Sequence, residues 1–186
     1  MQSLLASIRI SAATMAICVG AYALLIWTVA QAVTPHTANG SLVTRPGETS
    51  IGSSQVAQAF TEPQYFWPRP SAVDYNGAGA GGSNKSPTST DLTDRARKIV
   101  AAYGATAENP LPAELAAASG AGLDPHISER AALYQAARVA QARGVAQSEL
   151  EGQIRGLAFV PGGFLTRDRI VNVLELNLAL DGRTVP

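Results

Sequence analysis

Cysteine is nearly absent from this chain, and Cys18 is the one present. No disulfide can form within the chain. The residues beyond Cys18 have no thiol for nucleophilic catalysis or for a cysteine metal site. Histidine is scarce too, with only His36 and His126. A metal site wants several ligands, and two histidines on separate segments do not supply them. Neither sign of charge is in excess, since fourteen basic groups face fourteen acidic ones. That removes the basic footprint nucleic acid requires. No internal repeat and no G-x-S-x-G elbow occur.

A long apolar run is present at the N-terminus. From Ile10 to Thr44 no side chain is acidic or basic apart from His36. Ile10 to Val33 reads as a helix spanning roughly 36 Å, against a hydrocarbon core of roughly 30 Å. Tyr22 and Trp27 suit the interface. Ala30-Gln31-Ala32 resembles a signal-peptide cleavage site, but the run exceeds the usual signal core. The expectation is a retained anchor. Residues 1–9 with Arg9 are then cytoplasmic, 10–33 transmembrane, 34–49 a linker, and 50–186 an extracytoplasmic domain. The fold class expected is α+β: one transmembrane helix, then a small exported mixed domain of one modest core.

Pro35 to Thr49 is polar, with a short strand expected at Ser41-Leu42-Val43. Ser50-Ile51-Gly52 reads as extended, and Gln55 to Phe60 as a single helical turn stopped before Pro63. Tyr65-Phe66-Trp67-Pro68-Arg69-Pro70 follows, then Tyr75-Asn76 and a loop with Gly77, Gly79, Gly81 and Gly82. Rings and arginine are the usual anchors of buried contacts, and glycine allows close backbone approach. The segment reads as a shaped docking loop, with Tyr65, Phe66, Trp67, Arg69, Tyr75, Asn76, Gly81, Gly82 and Asn84 as the candidates.

Downstream, Ser89 or Thr90 caps a helix whose apolar face is Leu92, Ala96, Ile99, Val100 and Tyr103, with Arg95, Arg97 and Lys98 opposite. Gly104 ends it. Glu114 to Ala118 is ambiguous between helix and strand. Ser119 to His126 forms a second small-residue loop, after which Ser128 caps a helix with the stripe Ala132, Leu133, Ala136, Val139 and Ala140, closed by Gly144. Ser148 starts a shorter helix. Phe159 to Leu165 suggests a short strand around Pro161-Gly162-Gly163. Ile170 to Leu180 mixes periods. As a helix, Ile170, Val173, Leu174, Asn177 and Leu180 align; as a strand, Leu174, Leu176, Leu178 and Leu180 do. Helix is the expectation.

Gly79 to Ser86 nearly matches a phosphate loop, but Asn84 stands where glycine must precede the lysine, and Pro87 follows at once. Trp67 and Tyr65 beside Arg69 have the chemistry to stack on a sugar or nucleotide; packing against protein is the more general use. A capping or surface role is expected for His126.

Three blocks resemble the C subunit of the Kdp potassium-transporting ATPase. One runs from Tyr65-Phe66 through Arg69-Pro70-Ser71-Ala72 and Tyr75-Asn76 to Gly81-Gly82-Ser83-Asn84. Another is Ser119-Gly120 with Gly122-Leu123-Asp124-Pro125-His126-Ile127-Ser128, then Tyr134-Gln135, Arg138-Val139-Ala140 and Ala142-Arg143. The last is Val171 to Asp181. Pro68 stands where the family more often has glycine, and Lys85-Ser86 departs from its usual pair.

The resemblance implies an inner-membrane, single-pass accessory subunit that is not itself catalytic. Its implied partners are a channel-like potassium-binding subunit, a P-type ATPase subunit and a small single-helix subunit. Those partners would carry the potassium, and this chain alone would bind no cofactor. It also implies a catalytic chaperone that raises the ATP affinity of the ATPase subunit, with Ser119, Gly120 and Gln135 at positions associated with nucleotide. The alternative is an independent, membrane-anchored exported protein that binds a ligand with its glycine-rich loop.

Overall fold

The computed structural model describes residues 2–44 and 50–182. The expected linker at 45–49 and the end of the expected domain at 183–186 lie outside the described residues. The chain divides into two units, Met1–Leu42 and Val43–Pro186.

The first unit is dominated by one helix, Gln2–Val33, of 32 residues. It comprises α1 (Gln2–Met15), a π-helical stretch (Ala16–Ala21) and α2 (Tyr22–Val33). At 1.5 Å per residue it is about 48 Å long, enough to cross a bilayer. It starts ahead of the apolar run that begins at Ile10. No residue on it is buried by the protein. A helix that is apolar on all faces needs lipid or a partner to cover it. Its hydroxyls are satisfied internally: Thr28 Oγ1 donates to the Leu24 carbonyl at 2.7 Å, and Ser7 Oγ to Ser3 at 2.9 Å. A one-turn helix, α3 (Pro35–Ala38), follows inside the stretch expected to be linker.

The second unit opens with a two-stranded ladder of β1 (Leu42–Val43) and β2 (Gly52–Ser53). The extended piece expected at Ser50-Ile51-Gly52 is thus shifted onto Gly52–Ser53. No helical turn forms from Gln55 to Phe60. A tight turn at Ser54–Gln55 closes a Ser53–Val56 bridge, and Ala57 N–H donates to the Leu123 carbonyl at 2.9 Å. The long segment to Ser89 has no helix or strand.

Helix α4 (Thr90–Ala102) forms where its period predicts, with Ser89 at the N-cap position but its side chain making no cap bond, and Gly104 takes a left-handed φ of +62° after it. Its burial departs from the expected face: Val100 is exposed, Arg95 is half-buried, and no residue is fully buried. The ambiguous Glu114 segment resolves as the short helix α5 (Ala113–Ala116).

Two strand-to-helix units then make the core. Strand β3 (His126–Ser128) runs into α6 (Glu129–Arg143), and β4 (Ile170–Asn172) runs into α8 (Val173–Leu180). The strands are antiparallel, with Ile127 opposite Val171. Each strand's last residue is the cap of the next helix. Ser128 Oγ accepts from Ala131 N–H at 3.1 Å, and Asn172 Oδ1 from Glu175 N–H at 3.2 Å. The helix expected across Ile170–Leu180 is therefore three residues too long at its start. Between the units, α7 (Gln147–Leu157) starts one residue before Ser148, where a helix start was expected. The strand expected at Pro161-Gly162-Gly163 is a turn leading into a 3-10 helix, Gly163–Leu165, while Phe159 makes the extended bridge to Ile170.

Ile127, Ala132, Ala136, Val139, Ile154, Val171 and Leu176 fill the core at no more than 1% exposure. The alanines of α6 present little bulk where it packs on α7. Each buried aliphatic side chain contributes roughly 1.5–3 kcal/mol.

Asn172 also donates from Nδ2 to the Ser54 carbonyl at 2.7 Å. Asn172→Ala is expected to cost about 1–3 kcal/mol, from the lost cap and the stranded carbonyl. Thermal or urea melting of the detergent-solubilised chain measures it; no change in stability would contradict this role.

Candidate functional site

Residues Tyr65 to Arg69 run extended with no strand beside them. Buried backbone groups must still be paired. Here side-chain amides do it. Phe66 N–H donates to Asn177 Oδ1 at 2.8 Å, and Asn177 Nδ2 donates back to the Phe66 carbonyl at 3.0 Å. Trp67 N–H donates to Gln135 Oε1 at 2.8 Å, and Gln135 Nε2 donates to the Trp67 carbonyl at 3.1 Å. A carboxamide carries one acceptor and a donor pair, so it mimics a neighbouring strand. Gln135 and Asn177 are 1% and 2% exposed.

Two arginines extend the grip. Arg138 donates to the carbonyls of Pro63 at 2.6 Å and Tyr65 at 3.1 Å, and to Gln135 Oε1 at 2.7 Å. Its guanidinium lies 3.8 Å over the Trp67 ring. Arg143 donates to the Gln64 carbonyl at 2.7 Å, the Leu180 carbonyl at 3.0 Å and Asp181 Oδ1 at 2.9 Å. Tyr65 Oη donates to the other Asp181 oxygen at 3.1 Å.

The expected docking residues therefore fall into two sets. Phe66 is fully buried in this domain's own core, so its ring is not available to a partner. Tyr65 and Trp67 are half-buried against the same domain. Tyr103 meets Trp67 in an edge-to-face contact at 5.1 Å and Arg138 covers one face of its indole, while the ring also borders a cleft of about 290 Å³ shared with Tyr75 and Ile99. Burial raises the Tyr103 hydroxyl well above the usual phenol range. Arg69 pairs with Asp124 at 3.4 Å and donates to the Ala118 carbonyl at 3.4 Å.

The second set forms a crest. Ser71 Oγ accepts from Val73 N–H at 3.1 Å and Tyr75 N–H at 2.9 Å. Asn76 N–H closes a turn onto the Val73 carbonyl at 2.9 Å. Its two central residues, Asp74 and Tyr75, have φ of +51° and +56°. A left-handed tyrosine is strained, of order 1–3 kcal/mol, and persists only when its surroundings fix it. Tyr75 Oη donates to the Arg69 carbonyl at 2.9 Å. Burial, with the Asp74 charge second, raises the Tyr75 hydroxyl above its ordinary value. Asp74, Asn76, Gly77 to Ala80 and Asn84 are exposed.

The two small-residue loops meet. Gly81 N–H donates to the Ala121 carbonyl at 2.8 Å, and Ser119 N–H to Pro70 at 3.3 Å. A Cβ on Gly82 would stand 2.8 Å from the Gly120 oxygen, and one on Gly122, where φ is +68°, 2.7 Å from Val73. Only glycine fits at either place. Ser119 is buried and Gly120 exposed. Gln135, expected at a nucleotide-associated position, is a buried amide with both polar atoms already bonded. Lys85, the cation of the near phosphate loop, is paired with Asp91 at 2.5 Å.

A cleft of about 930 Å³ borders the site, with Arg69, Asp124, His126, Glu114 and Arg169 on its wall. Most of these charges face one another. Asp124 accepts from the His126 backbone N–H at 3.0 Å and lies 3.4 Å from the His126 ring Nδ1, and the bond to the His126 side chain, ahead of the backbone bond, holds its carboxyl below the usual range. His126 packs edge-on against Phe159. Among the described residues, no group of three His, Cys, Asp or Glu is placed to hold a metal. Asn177 and Arg143 are the functional residues that reading for docking chemistry missed. The signal for Asn177 was a carboxamide inside an apolar stripe.

The fold and site define a class: a helix able to cross a membrane, followed by a small mixed helix-and-sheet domain whose buried carboxamides, Gln135, Asn172 and Asn177, are bonded to its own backbone. A family model described as KdpC, the K+-transporting ATPase c chain, matches residues 4–182. The chain is 72% identical over 181 residues to the potassium-transporting ATPase KdpC subunit of Parvibaculum lavamentivorans, covering 97% of each. It is 47% identical to that of Rhodospirillum rubrum, covering 88% of this chain and 86% of the relative. It is 44% identical to that of Sorangium cellulosum, covering 87% and 88%. The chain belongs to the KdpC family of potassium-transporting ATPase subunits.

Replacing Asn177 or Gln135 by leucine would leave buried amide and carbonyl groups of Phe66 or Trp67 unpaired. Each is expected to cost about 2–4 kcal/mol. The double variant should lose less than the sum, because both act on one segment. Urea titration of the three variants decides this; two small, additive losses would contradict it.

Proposed function

We propose that this chain is the accessory subunit that assembles and stabilises an ATP-driven potassium-uptake complex in the inner membrane. Its N-terminal helix is the retained anchor, Arg9 lies on the cytoplasmic side, and the domain is exported. The crest from Asp74 to Ala80 with Asn84 and Gly120 is its docking face toward the channel-like potassium-binding subunit and the P-type ATPase subunit. Potassium and the phosphorylated aspartate belong to those partners. A small single-helix subunit completes the set.

The observation that carries this reading is the pairing of the two glycine loops. Their close approach fixes the crest on a rigid base while its outer residues remain bare. Family membership supplies the kind of partner.

A chaperone effect on ATP affinity is then indirect, through the partner's conformation. Three observations support that over direct contact. Ser119 is buried, Gln135 is bonded at both amide atoms, and Lys85 is held by Asp91. The same ion pair weakens the alternative of an independent anion-binding protein.

Deleting the whole Tyr65–Asn76 stretch would remove Phe66 from the core, so the docking test must use the crest alone. Ala78→Arg with Ala80→Arg, both exposed, is expected to leave melting unchanged. Co-purification of the two large partners should drop by roughly ten-fold or more, the scale of a lost interface anchor. Intact stoichiometry would contradict the docking face. Topology has its own test. In a Cys18→Ser background, Ala107→Cys, exposed and outside the docking face, is expected to react with an impermeant maleimide in intact spheroplasts. Reaction only after lysis would place the domain in the cytoplasm and overturn the export reading.

A further inference from the structure

The loop after α7 presents the barest large apolar side chains of the second unit. Phe164 is 95% exposed and Leu165 75%, with Phe159 and Val160 also exposed. This loop is built, not frayed. Phe159 and Ile170 exchange two backbone hydrogen bonds of 2.9 Å at its neck. Arg169 Nη2 donates to the carbonyls of Arg155 and Ala158, both at 2.7 Å, while Nη1 pairs with Glu129 at 3.2 Å. At the tip, Gly162 and Gly163 take φ of +76° and +57°. Leu165 N–H turns back onto the Gly162 carbonyl at 3.1 Å, and Thr166 Oγ1 onto that of Pro161. The fold thus fixes a neck and shapes a turn whose product is two apolar side chains in water. Such exposure marks a surface that something covers.

We infer that this loop inserts Phe164 and Leu165 into the headgroup–acyl boundary of the lipid bilayer. Area favours lipid over protein. An aromatic side chain buries about 150–250 Å², so this tip offers a few hundred at most, against roughly 800 Å² per partner for a stable protein interface. Lipid insertion has no such minimum, and short apolar tips with adjacent cations suit it. Arg167 follows the tip directly and pairs with no carboxylate among the described residues. It is placed to meet lipid phosphate, with Asp168 next to it in sequence and the carboxylates Glu114, Asp124 and Glu129 on the cleft it borders. The chain also supplies the encounter. Residues 34–42 join this unit to a helix able to cross a membrane, and no extended conformation of that linker exceeds about 35 Å. A bilayer that holds the helix is therefore at high effective concentration for the loop. The inference rests on the retained-anchor reading.

The test uses the full chain, alone, in vesicles of phosphatidylcholine and phosphatidylglycerol. In a Cys18→Ser background, an environment-sensitive fluorophore is placed at Leu165→Cys, and at the exposed Ala107→Cys as control. Nitroxide-labelled lipids are expected to quench position 165 roughly three-fold or more above position 107, with a blue shift, as insertion at the boundary requires. Flotation with the vesicles reports the anchor separately. A chain that floats but whose position 165 is as open to aqueous iodide as position 107 overturns the loop inference and leaves the anchor standing. Shielding that appears only in the presence of partner subunits also overturns it, in favour of a protein contact. Phe164→Ser in the labelled full chain is expected to keep its melting transition, since that side chain is not in the core, and to bring quenching at position 165 down toward that at position 107. Unchanged quenching at position 165 contradicts insertion.

Discussion

Two carboxamides hold this domain's architecture. Gln135 on α6 and Asn177 on α8 each pair with both backbone groups of one residue, Trp67 and Phe66 respectively. Without them an extended segment would enter the core with its peptide groups unpaired, at a cost of about 1–3 kcal/mol for each group. With them, two helices stand in for the missing strands. Phe66 then reaches the core, Pro68 is buried behind it, and Arg69 arrives beside Asp124. The glycine loop that follows is delivered onto the Ser119–Gly122 loop. The crest at Asp74 and Tyr75 depends on that delivery, because Tyr75 keeps its left-handed backbone by bonding back to Arg69.

Much of this was legible in the residues. Apolar period located α4, cap chemistry located α6, and glycines at 104 and 144 marked their ends. The apolar run located the N-terminal helix, and the three irregular blocks identified the family. The short strand expected at Ser41-Leu42-Val43 is β1, but β3 and β4 were not legible, because they are three residues each and no period can be read from so few. In the aromatic segment, Phe66 was read with the right chemistry, but its own domain's core buries it. Rings and arginine do seek buried contacts, but composition cannot say whether the surface that buries them is another chain or their own. The carboxamides were hidden for a related reason. Within an apolar stripe, Asn177 looks like an interruption until a backbone segment is found facing it. Exposure along α4 was also misjudged, since its period is regular while the domain covers only part of that face.

The arrangement separates what shapes the domain from what it presents. The buried carboxamides Gln135, Asn172 and Asn177 are bonded to backbone, which leaves none of the three free for a soluble ligand. Its bare features lie elsewhere: the crest of small residues and the apolar tip at Phe164. That distribution suits a subunit whose effect on an ATPase comes through holding partners and membrane in position.

Hydrogen exchange of the Phe66 and Trp67 amides tests the central claim most directly. In the full chain, solubilised in detergent, the account predicts that both exchange as slowly as the core amides of α6, although no strand adjoins them, while residues 76–80 exchange fast. Exchange at Phe66 and Trp67 as fast as in the crest would contradict it, because the two carboxamides would then not be holding the segment.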